Sequence, residues 1–181
     1  MVPLQRAGGG AALGHVVAIV SGGLDSTALA YWLRESSDRL TLLSFDYGQR
    51  HCRELDAARR VADRLGTEHE LVDLRCLGRL LSGSALTDAD AEVPEGHYTD
   101  ATMKATVVPN RNAIMLDVAT GVVVSRAADA VAFGAHAGDH PIYPDCRPAF
   151  VRAYAELARV ANEGFLSPRF RVLAPFLDMS K

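Results

Sequence analysis

A short β-branched run that ends in a glycine-containing turn constrains the fold of this chain more than any other feature of its sequence. Residues 15–20 read His-Val-Val-Ala-Ile-Val, and residues 21–26 follow at once as Ser-Gly-Gly-Leu-Asp-Ser. A short apolar run bounded by a turn is typical of a buried parallel strand. Apolar residues then recur at helical spacing, at Leu29, Trp32 and Leu33. The segment therefore predicts a strand, a tight turn and a helix.

The rest of the chain repeats this alternation of strands and helices. Besides the first strand and helix, the predicted strands are residues 40–45, 68–72 and 130–133, and the predicted helices are residues 52–65, 114–127 and 148–161. Gly66 and Gly134 follow two of these segments and mark their ends. The alternation predicts a doubly wound, Rossmann-like α/β fold, with a parallel sheet and helices on both of its faces.

The length of the chain favours one domain. It has 181 residues, of which 49% are hydrophobic, enough for one core and short for two. We expect a flexible, glycine-rich leader over residues 1–14 and a single domain over residues 15–181. The periodicity disappears over residues 82–106, which are long for an inert loop. A mobile lid over the substrate and a disordered insertion explain that stretch equally well.

Charge and cysteine usage narrow the class of protein. A net charge of -3 gives no general electrostatic reason to bind nucleic acid, so a small-molecule substrate is expected. The apolar runs are too short to span a bilayer, and the three cysteines lack the spacing of a disulfide framework or a zinc site. These features predict a cytoplasmic protein without a membrane partner. The histidines are also too scattered for a metal site, and His69 and His97 look like loop or surface residues.

The loop at residues 21–26 has the chemistry of an anion site. Gly22 and Gly23 allow successive N–H groups to face an anion, and Ser21, Ser26 and Thr27 add hydroxyl donors. Asp25 would repel a phosphate on its own, so it is either a helix cap or a ligand of phosphate-bound Mg²⁺. The loop is neither a Walker motif nor a dinucleotide fingerprint. A turn with a Ser or Asp cap and no ligand is the structural alternative.

The same loop resembles the Ser-Gly-Gly-x-Asp-Ser signature of the PP-loop superfamily, the N-type ATP pyrophosphatases, whose fold is of the adenine nucleotide alpha hydrolase type. Four further stretches resemble the 7-cyano-7-deazaguanine synthase (QueC) family: Phe-Asp-Tyr-Gly-Gln-Arg-His at 45–51, Val-Pro-Asn-Arg-Asn at 108–112, Gly-Ala-His-Ala-Gly-Asp at 134–139 and Tyr-Pro-Asp-Cys-Arg at 143–147. The resemblance runs from about residue 15 to the end of the sequence.

That resemblance implies an enzyme of deazapurine biosynthesis. It would convert 7-carboxy-7-deazaguanine and ammonia into the nitrile 7-cyano-7-deazaguanine, with ATP and Mg²⁺, and would form a homodimer. The family also binds zinc through four cysteines in a C-terminal region. This sequence contains none of those cysteines, so no residue is predicted to bind zinc.

The resemblance and the side-chain chemistry together predict the site residues. The catalytic candidates are Asp25, Ser26, Arg111 and Arg147, and a guanidinium can pair with a phosphate or carboxylate through two hydrogen bonds. The residues expected to bind ATP are Val20, Ser21, Gly22, Gly23, Leu24, Asp25, Ser26, Thr27, Ala28, Leu29 and Ala30. The residues expected to bind the acid substrate are Tyr47, Gln49, Arg50, His51, Asn110, Asn112, Asp139, Tyr143 and Asp145.

Several of these residues have structural explanations that the sequence leaves open. The three arginines Arg50, Arg111 and Arg147 are also explained by helix capping or surface ion pairs. Asp139 or Asp145 is expected to accept hydrogen bonds from the guanine-like edge of the substrate, but an Asx turn beside Pro144 explains Asp145 as well. Cys146 is expected to be a buried packing thiol, because adenylation needs no protein nucleophile.

Two other functions are consistent with the same loop. A tRNA thiolase would use the same adenylation, but it favours paired cysteines and a basic surface, and the sequence has neither. A nucleotide-binding module that has lost its chemistry is the second alternative.

Overall fold

The first strand and its neighbours form one parallel sheet. The computed structural model describes residues 12–48, 53–80 and 110–179, and the side chains of residues 78–80 are not described. Within these ranges the strands are β1 (His15–Ile19), β2 (Arg39–Asp46), β3 (Glu68–Asp73), β4 (Ala130–Ala132) and β5 (Arg171–Leu173). Their spatial order is β3-β2-β1-β4-β5, and every neighbouring pair is parallel.

The helices are distributed over both faces of this sheet. They are α1 (Leu24–Ser36), α2 (Arg53–Leu65), α3 (Arg75–Leu80), α4 (Arg111–Ser125) and α5 (Pro148–Ala161), with single 3-10 turns at Ala137–Asp139 and Pro144–Cys146. None of the helices in the described part of the chain is both long and apolar enough to cross a membrane.

Alternate residues of β1 supply two separate cores. Val17 packs in one core with Leu116 of α4 and Tyr154 of α5. Its neighbour Val16 packs in the other with Leu29 of α1 and with α2. Because successive side chains of a strand point to opposite faces, a strand covered on both sides is apolar at every position. The doubly wound α/β prediction is therefore confirmed.

The predicted elements agree with the observed ones where the local pattern is strong. The helix predicted over residues 148–161 has those bounds, whereas α4 begins at Arg111, three residues before the predicted start at 114. The short elements α3 and β5 were not predicted. The predicted lid or insertion over residues 82–106, with His97, and most of the predicted leader lie outside the described residues.

The interpretation of His69 as a loop or surface residue is wrong. His69 lies within β3, where its Nε2 is 2.9 Å from the hydroxyl oxygen of Ser44 in β2. Ser44 in turn donates to the carbonyl oxygen of Val20 at 2.6 Å. A hydroxyl has one hydrogen to donate, so His69 must be the donor to Ser44. The two hydrogen bonds tie the end of β1, where the loop at residues 21–26 begins, to β2 and through it to β3.

The order of the strands sets the position of the ligand site. From β1 the sheet grows outward to β2 and β3 on one side and to β4 and β5 on the other. The crevice between β1 and β4 at their carboxyl ends is the topological switch point, where doubly wound sheets bind their ligands. The loop at residues 21–26 follows β1 at this end of the sheet.

Candidate active site

A cavity of about 330 Å³ opens at the carboxyl ends of β1, β2 and β4. Its walls come from the loop after β1, the ends of β2 and β4, and the starts of α2 and α4. The lining residues are Ile19, Val20, Ser21, Gly23, Asp25, Ser26, Phe45, Tyr47, Glu54, Arg111, Asn112, Met115, Phe133, Gly134, Ala135, Asp139, Tyr143 and Cys146. The cavity thus lies at the switch point that the strand order indicates.

A chain of hydroxyl groups holds the loop after β1 in shape. Ser26 donates to the carbonyl oxygen of Gly23 at 3.0 Å, and its oxygen accepts from the backbone N–H of Ser21 at 3.2 Å. The two serine hydroxyls are 3.2 Å apart. The first backbone hydrogen bond of α1 runs from the N–H of Thr27 to the carbonyl oxygen of Gly23. The backbone N–H groups before Thr27 have no partner of this kind within the helix, and such groups at a helix start can bind an anion.

Two glycines let this loop pack closely against its neighbours. Gly22 has φ +85°, and an added Cβ would collide with the carbonyl oxygen of Glu54 and lie 2.9 Å from the nitrogen of Ala58. On the other side, a Cβ at Gly134 would lie 3.3 Å from the nitrogen of Ser26. The loop is therefore held between the start of α2 and the end of β4 by its backbone.

Asp25 is not the cap of α1. The structure places Gly23 at the N-cap, and Asp25 is the second residue of the helix. Its Oδ2 lies 3.6 Å from Nε2 of His136, and its side chain lines the cavity. Of the two roles that the sequence left open, the geometry leaves Asp25 as a candidate ligand for phosphate-bound Mg²⁺.

Arg111 begins α4 and faces the cavity. Its Nη1 donates to the hydroxyl of Tyr47 at 3.5 Å. A cation at the first residue of a helix opposes the helix dipole, which costs stability unless an anion is bound nearby. The preceding residue, Asn110, has φ 58°, a left-handed conformation that asparagine tolerates better than most residues. The geometry at this helix start is thus consistent with a role for Arg111 toward an anionic ligand.

Asp145 and Cys146 occupy the 3-10 turn beside the start of α4. Asp145 Oδ2 accepts from the backbone N–H of Asn112 at 3.1 Å and so caps α4, and it does not line the cavity. Cys146 is buried, and its sulfur accepts from Nδ2 of Asn112 at 3.2 Å. Burial, followed by the nearby carboxylates of Asp139 and Asp145, raises the pKa of the Cys146 thiol to about 12. A thiol in this environment is a packing group and not a nucleophile.

The structure brings together only part of the predicted site. Leu29 and Ala30 are fully buried in the core on the α1 face, so the cavity side of α1 is formed by its first turn. Gly22, Leu24, Thr27, Ala28 and Asn110 are not among the lining residues. Arg147 also lies outside the lining, and its Nε donates to the carbonyl oxygen of His140 at 2.8 Å. Gln49, Arg50 and His51 lie outside the described residues. The binding roles of all these residues stay predictions.

Several residues that shape the site were missed. Phe133 and Met115 add apolar walls, Glu54 adds a carboxylate from α2, and His136 contacts both Asp25 and Asp139 without lining the cavity. His136 and Gly134 stand in the motif at 134–139, so their signal was present. Glu54 has no local signal, because an exposed acid in the first turn of a helix is ordinary.

The charges around the cavity bear on which metal ions fit. Of the described residues that line it, Asp25, Glu54 and Asp139 carry carboxylates, and Arg111 is the basic one. Taken by themselves, these described side chains repel a polyphosphate unless a cation accompanies it, and Mg²⁺ is commonly bound by one or two carboxylates together with phosphate oxygens. Zinc is usually held by three or four His, Cys, Asp or Glu side chains. Within the described ranges, no three His, Cys, Asp or Glu side chains form a group that could hold a metal ion.

A solved structure shares the fold of this chain. It is a predicted subunit of tRNA methyltransferase from Methanocaldococcus jannaschii, and the match has a TM-score of 0.57 with 14% sequence identity. It covers 93% of this chain and 70% of the other. At this level of identity the likeness concerns the fold alone.

Closer relatives exist in sequence. The 7-cyano-7-deazaguanine synthase of Rhizobium etli is 53% identical over 165 residues, which are 91% of this chain and 69% of the relative. The protein of the same name from Ruegeria pomeroyi is 54% identical over 163 residues, 90% of this chain and 70% of the relative. The family model described as queuosine biosynthesis protein QueC matches residues 15–181. The chain therefore belongs to the QueC family.

Proposed function

We propose that this protein is a 7-cyano-7-deazaguanine synthase, a ligase that uses ATP to convert 7-carboxy-7-deazaguanine and ammonia into the nitrile. The observation that carries the proposal is the position of the Ser-Gly-Gly-Leu-Asp-Ser loop, which begins α1 and lines the cavity at the switch point of the sheet. Relatives more than 50% identical bear that name.

The first half of the reaction activates the acid. A carboxylate is a poor electrophile, because its leaving group would be oxide. An oxygen of the substrate carboxylate attacks the α-phosphorus of ATP, the bond to the β-phosphate oxygen breaks, and pyrophosphate leaves. Ammonia then adds to the acyl adenylate, loses a proton and displaces AMP. The product of this half is the amide.

The second half removes the amide oxygen by the same chemistry. The amide oxygen attacks the α-phosphorus of a second ATP and releases a second pyrophosphate. Loss of AMP and of the remaining N–H protons forms the carbon–nitrogen triple bond. Two molecules of ATP are consumed for each nitrile, and one phosphate site serves both adenylations.

The residues of the cavity supply binding and charge. The start of α1 and the loop before it offer backbone amides to the departing pyrophosphate, and the serine chain keeps them in place before ATP arrives. Arg111 faces the same space and pairs with phosphate or with the substrate carboxylate. Asp25 would hold Mg²⁺, which lowers the negative charge of the polyphosphate when bound.

The lining of the cavity suits a flat, purine-like ring. Phe45, Tyr47, Phe133 and Tyr143 line the cavity with aromatic side chains. Asp139 lines it as well, whereas Asp145 lies outside the lining and caps α4. These placements support Asp139 as the residue that accepts hydrogen bonds from the guanine-like edge.

The test supplies 7-carboxy-7-deazaguanine, ammonium and MgATP together and follows AMP, pyrophosphate and the mass of the product. We expect the amide to appear first and the nitrile later. Asp25→Asn should lower the rate about 100-fold or more, because several kcal/mol of charge stabilisation are lost. Asp38→Asn, at an exposed position outside the cavity, is the matched control.

Two results would contradict this function in different ways. If the wild-type protein forms neither amide nor nitrile, it is not a synthase. If it binds ATP and releases no pyrophosphate with this acid or any other, it is a nucleotide-binding module. The homodimer, the cytoplasmic location and the lack of a nucleic-acid partner stay predictions.

A further inference from the structure

His136 lies near Asp25 and Asp139, which line the cavity, and a hydrogen bond fixes the position of its ring hydrogen. It follows β4, and its exposed fraction is 9%. Its Nδ1 accepts a hydrogen bond from the backbone N–H of Gly138 at 3.0 Å. An imidazole nitrogen that accepts a hydrogen bond carries no hydrogen, so the ring hydrogen is on Nε2. The Nε2–H group is therefore the one that His136 presents to its surroundings.

Two carboxylates from separate elements of the fold lie near this N–H group. Oδ2 of Asp25, in the first turn of α1, lies 3.6 Å from Nε2, and Oδ1 of Asp139 lies 3.5 Å from it. Oδ2 of Asp139 also accepts from the backbone N–H of His136 at 3.2 Å. Two carboxylates so close to one point repel each other, and a donor placed between them offsets that repulsion.

We propose that His136 is a positioning residue that holds the carboxylates of Asp25 and Asp139 in one arrangement. The inference rests on the proposed function, in which Asp25 serves the nucleotide side of the reaction and Asp139 the substrate side. His136 touches neither the nucleotide nor the reacting carbon in this assignment. It acts by linking the phosphate loop, residues 21–26 with the start of α1, to the segment after β4 that carries Asp139.

The neighbouring backbone fixes the place of the imidazole. A Cβ at Gly138 would lie 2.8 Å from Cε1 and 3.0 Å from Nδ1 of His136, closer than real contacts. Gly134, two residues before His136, packs on the backbone of Asp25 and Ser26. The imidazole is thus held by the segment that carries it as well as by the carboxylates that it contacts.

Two substitutions separate positioning from a structural role. In His136→Gln the side-chain amide nitrogen reaches about as far as Nε2, so the donor to the carboxylates is kept and the acceptor for Gly138 is lost. His136→Asn keeps an acceptor near the position of Nδ1 and loses the donor. Positioning predicts that Gln substitutes for His and Asn does not. If His136 only caps the turn by accepting from Gly138, Asn should substitute for His and Gln should not.

The readout is the affinity for ATP in the presence of saturating Mg²⁺, measured by isothermal titration calorimetry. We expect the dissociation constant to rise about 10-fold or more in His136→Asn and to stay within about 3-fold of wild type in His136→Gln, since partners of metal-binding carboxylates contribute effects of that size. Equal affinity in both variants, or a larger loss in the Gln variant, overturns the proposal.

A third variant tests the inference if His136→Asn does not fold. Gly138→Ala retains the imidazole but displaces it, so the affinity for MgATP should fall. Gly121→Ala, where an added Cβ meets nothing within 4 Å, is the control. Unchanged affinity in Gly138→Ala would also overturn the proposal. A wild-type protein whose variants show this pattern of MgATP affinities, but which forms no amide or nitrile, would refute the proposed function and leave this inference standing.

Discussion

Replacing Gly22 with alanine tests whether close backbone packing shapes the phosphate loop. Gly22 has φ +85°, and a Cβ there would run into the carbonyl oxygen of Glu54 and approach Ala58 N and Ala57 Cβ to 2.9 and 3.0 Å. A left-handed alanine costs about 1–2 kcal/mol, and overpacking against backbone adds about 1–3 kcal/mol. Gly164 is a matched control, because it has φ +81° and open space around it.

The two variants separate these costs. Gly164→Ala should lose about 1–2 kcal/mol of unfolding free energy. Gly22→Ala should lose about 2 kcal/mol more, which corresponds to roughly 6 °C in the melting temperature of a domain of this size. Differential scanning calorimetry measures this difference. The dissociation constant for ATP, measured by isothermal titration calorimetry, should rise about 10-fold or more in Gly22→Ala alone, because the loop must move away from α2. If both variants melt and bind ATP alike, close packing against α2 does not shape the loop.

Three further outcomes follow from individual side chains. Arg111→Lys keeps the positive charge but loses the planar guanidinium that forms two parallel hydrogen bonds, so kcat/KM should fall about 10-fold. Pyrophosphate release at the wild-type rate would exclude bidentate pairing. Iodoacetamide at pH 8 should alkylate the exposed Cys76 and spare Cys146, because burial raises the pKa of the Cys146 thiol to about 12. Peptide mass spectrometry measures both labels, and rapid labelling of Cys146 would disprove its burial. Burial lowers the pKa of His69 below its ordinary 6.5, with Arg59 adding to the effect. The unfolded state therefore takes up that proton first, and stability should fall as the pH drops below about 6.5. His69→Gln, which keeps a donor for Ser44, should flatten that slope in pH-dependent urea melts, and an unchanged slope would assign it to another group.

Local patterns were sufficient to predict β1, which leads into the loop at residues 21–26, and α5. The strand at 15–20 and the helix at 148–161 were recognisable because their apolar residues follow one period without interruption. β5 has only three residues, one of them Arg171, and it is a strand because it pairs with β4. Elements that depend on a distant partner leave little trace in their own sequence.

The candidate site was predictable to the extent that it is contiguous in the chain. Ser21, Asp25 and Ser26 belong to one motif, and all three line the cavity. The contact between Asp25 and His136 joins residues far apart in the chain, and no local signal marks it. The role of Arg147 was harder to judge for a similar reason. Its bond to the His140 carbonyl depends on how the turn before α5 folds back.

The central place of β1 in the sheet has a consequence for the energetics of nucleotide binding. β1 has a strand on each side and helices on both faces, so its amides should exchange with solvent only when the whole domain unfolds, and those of β5 earlier. The loop at residues 21–26 follows the end of this strand. In the function proposed above, the polyphosphate therefore meets a surface that is already ordered, and little of the binding energy is spent on immobilising the protein around it.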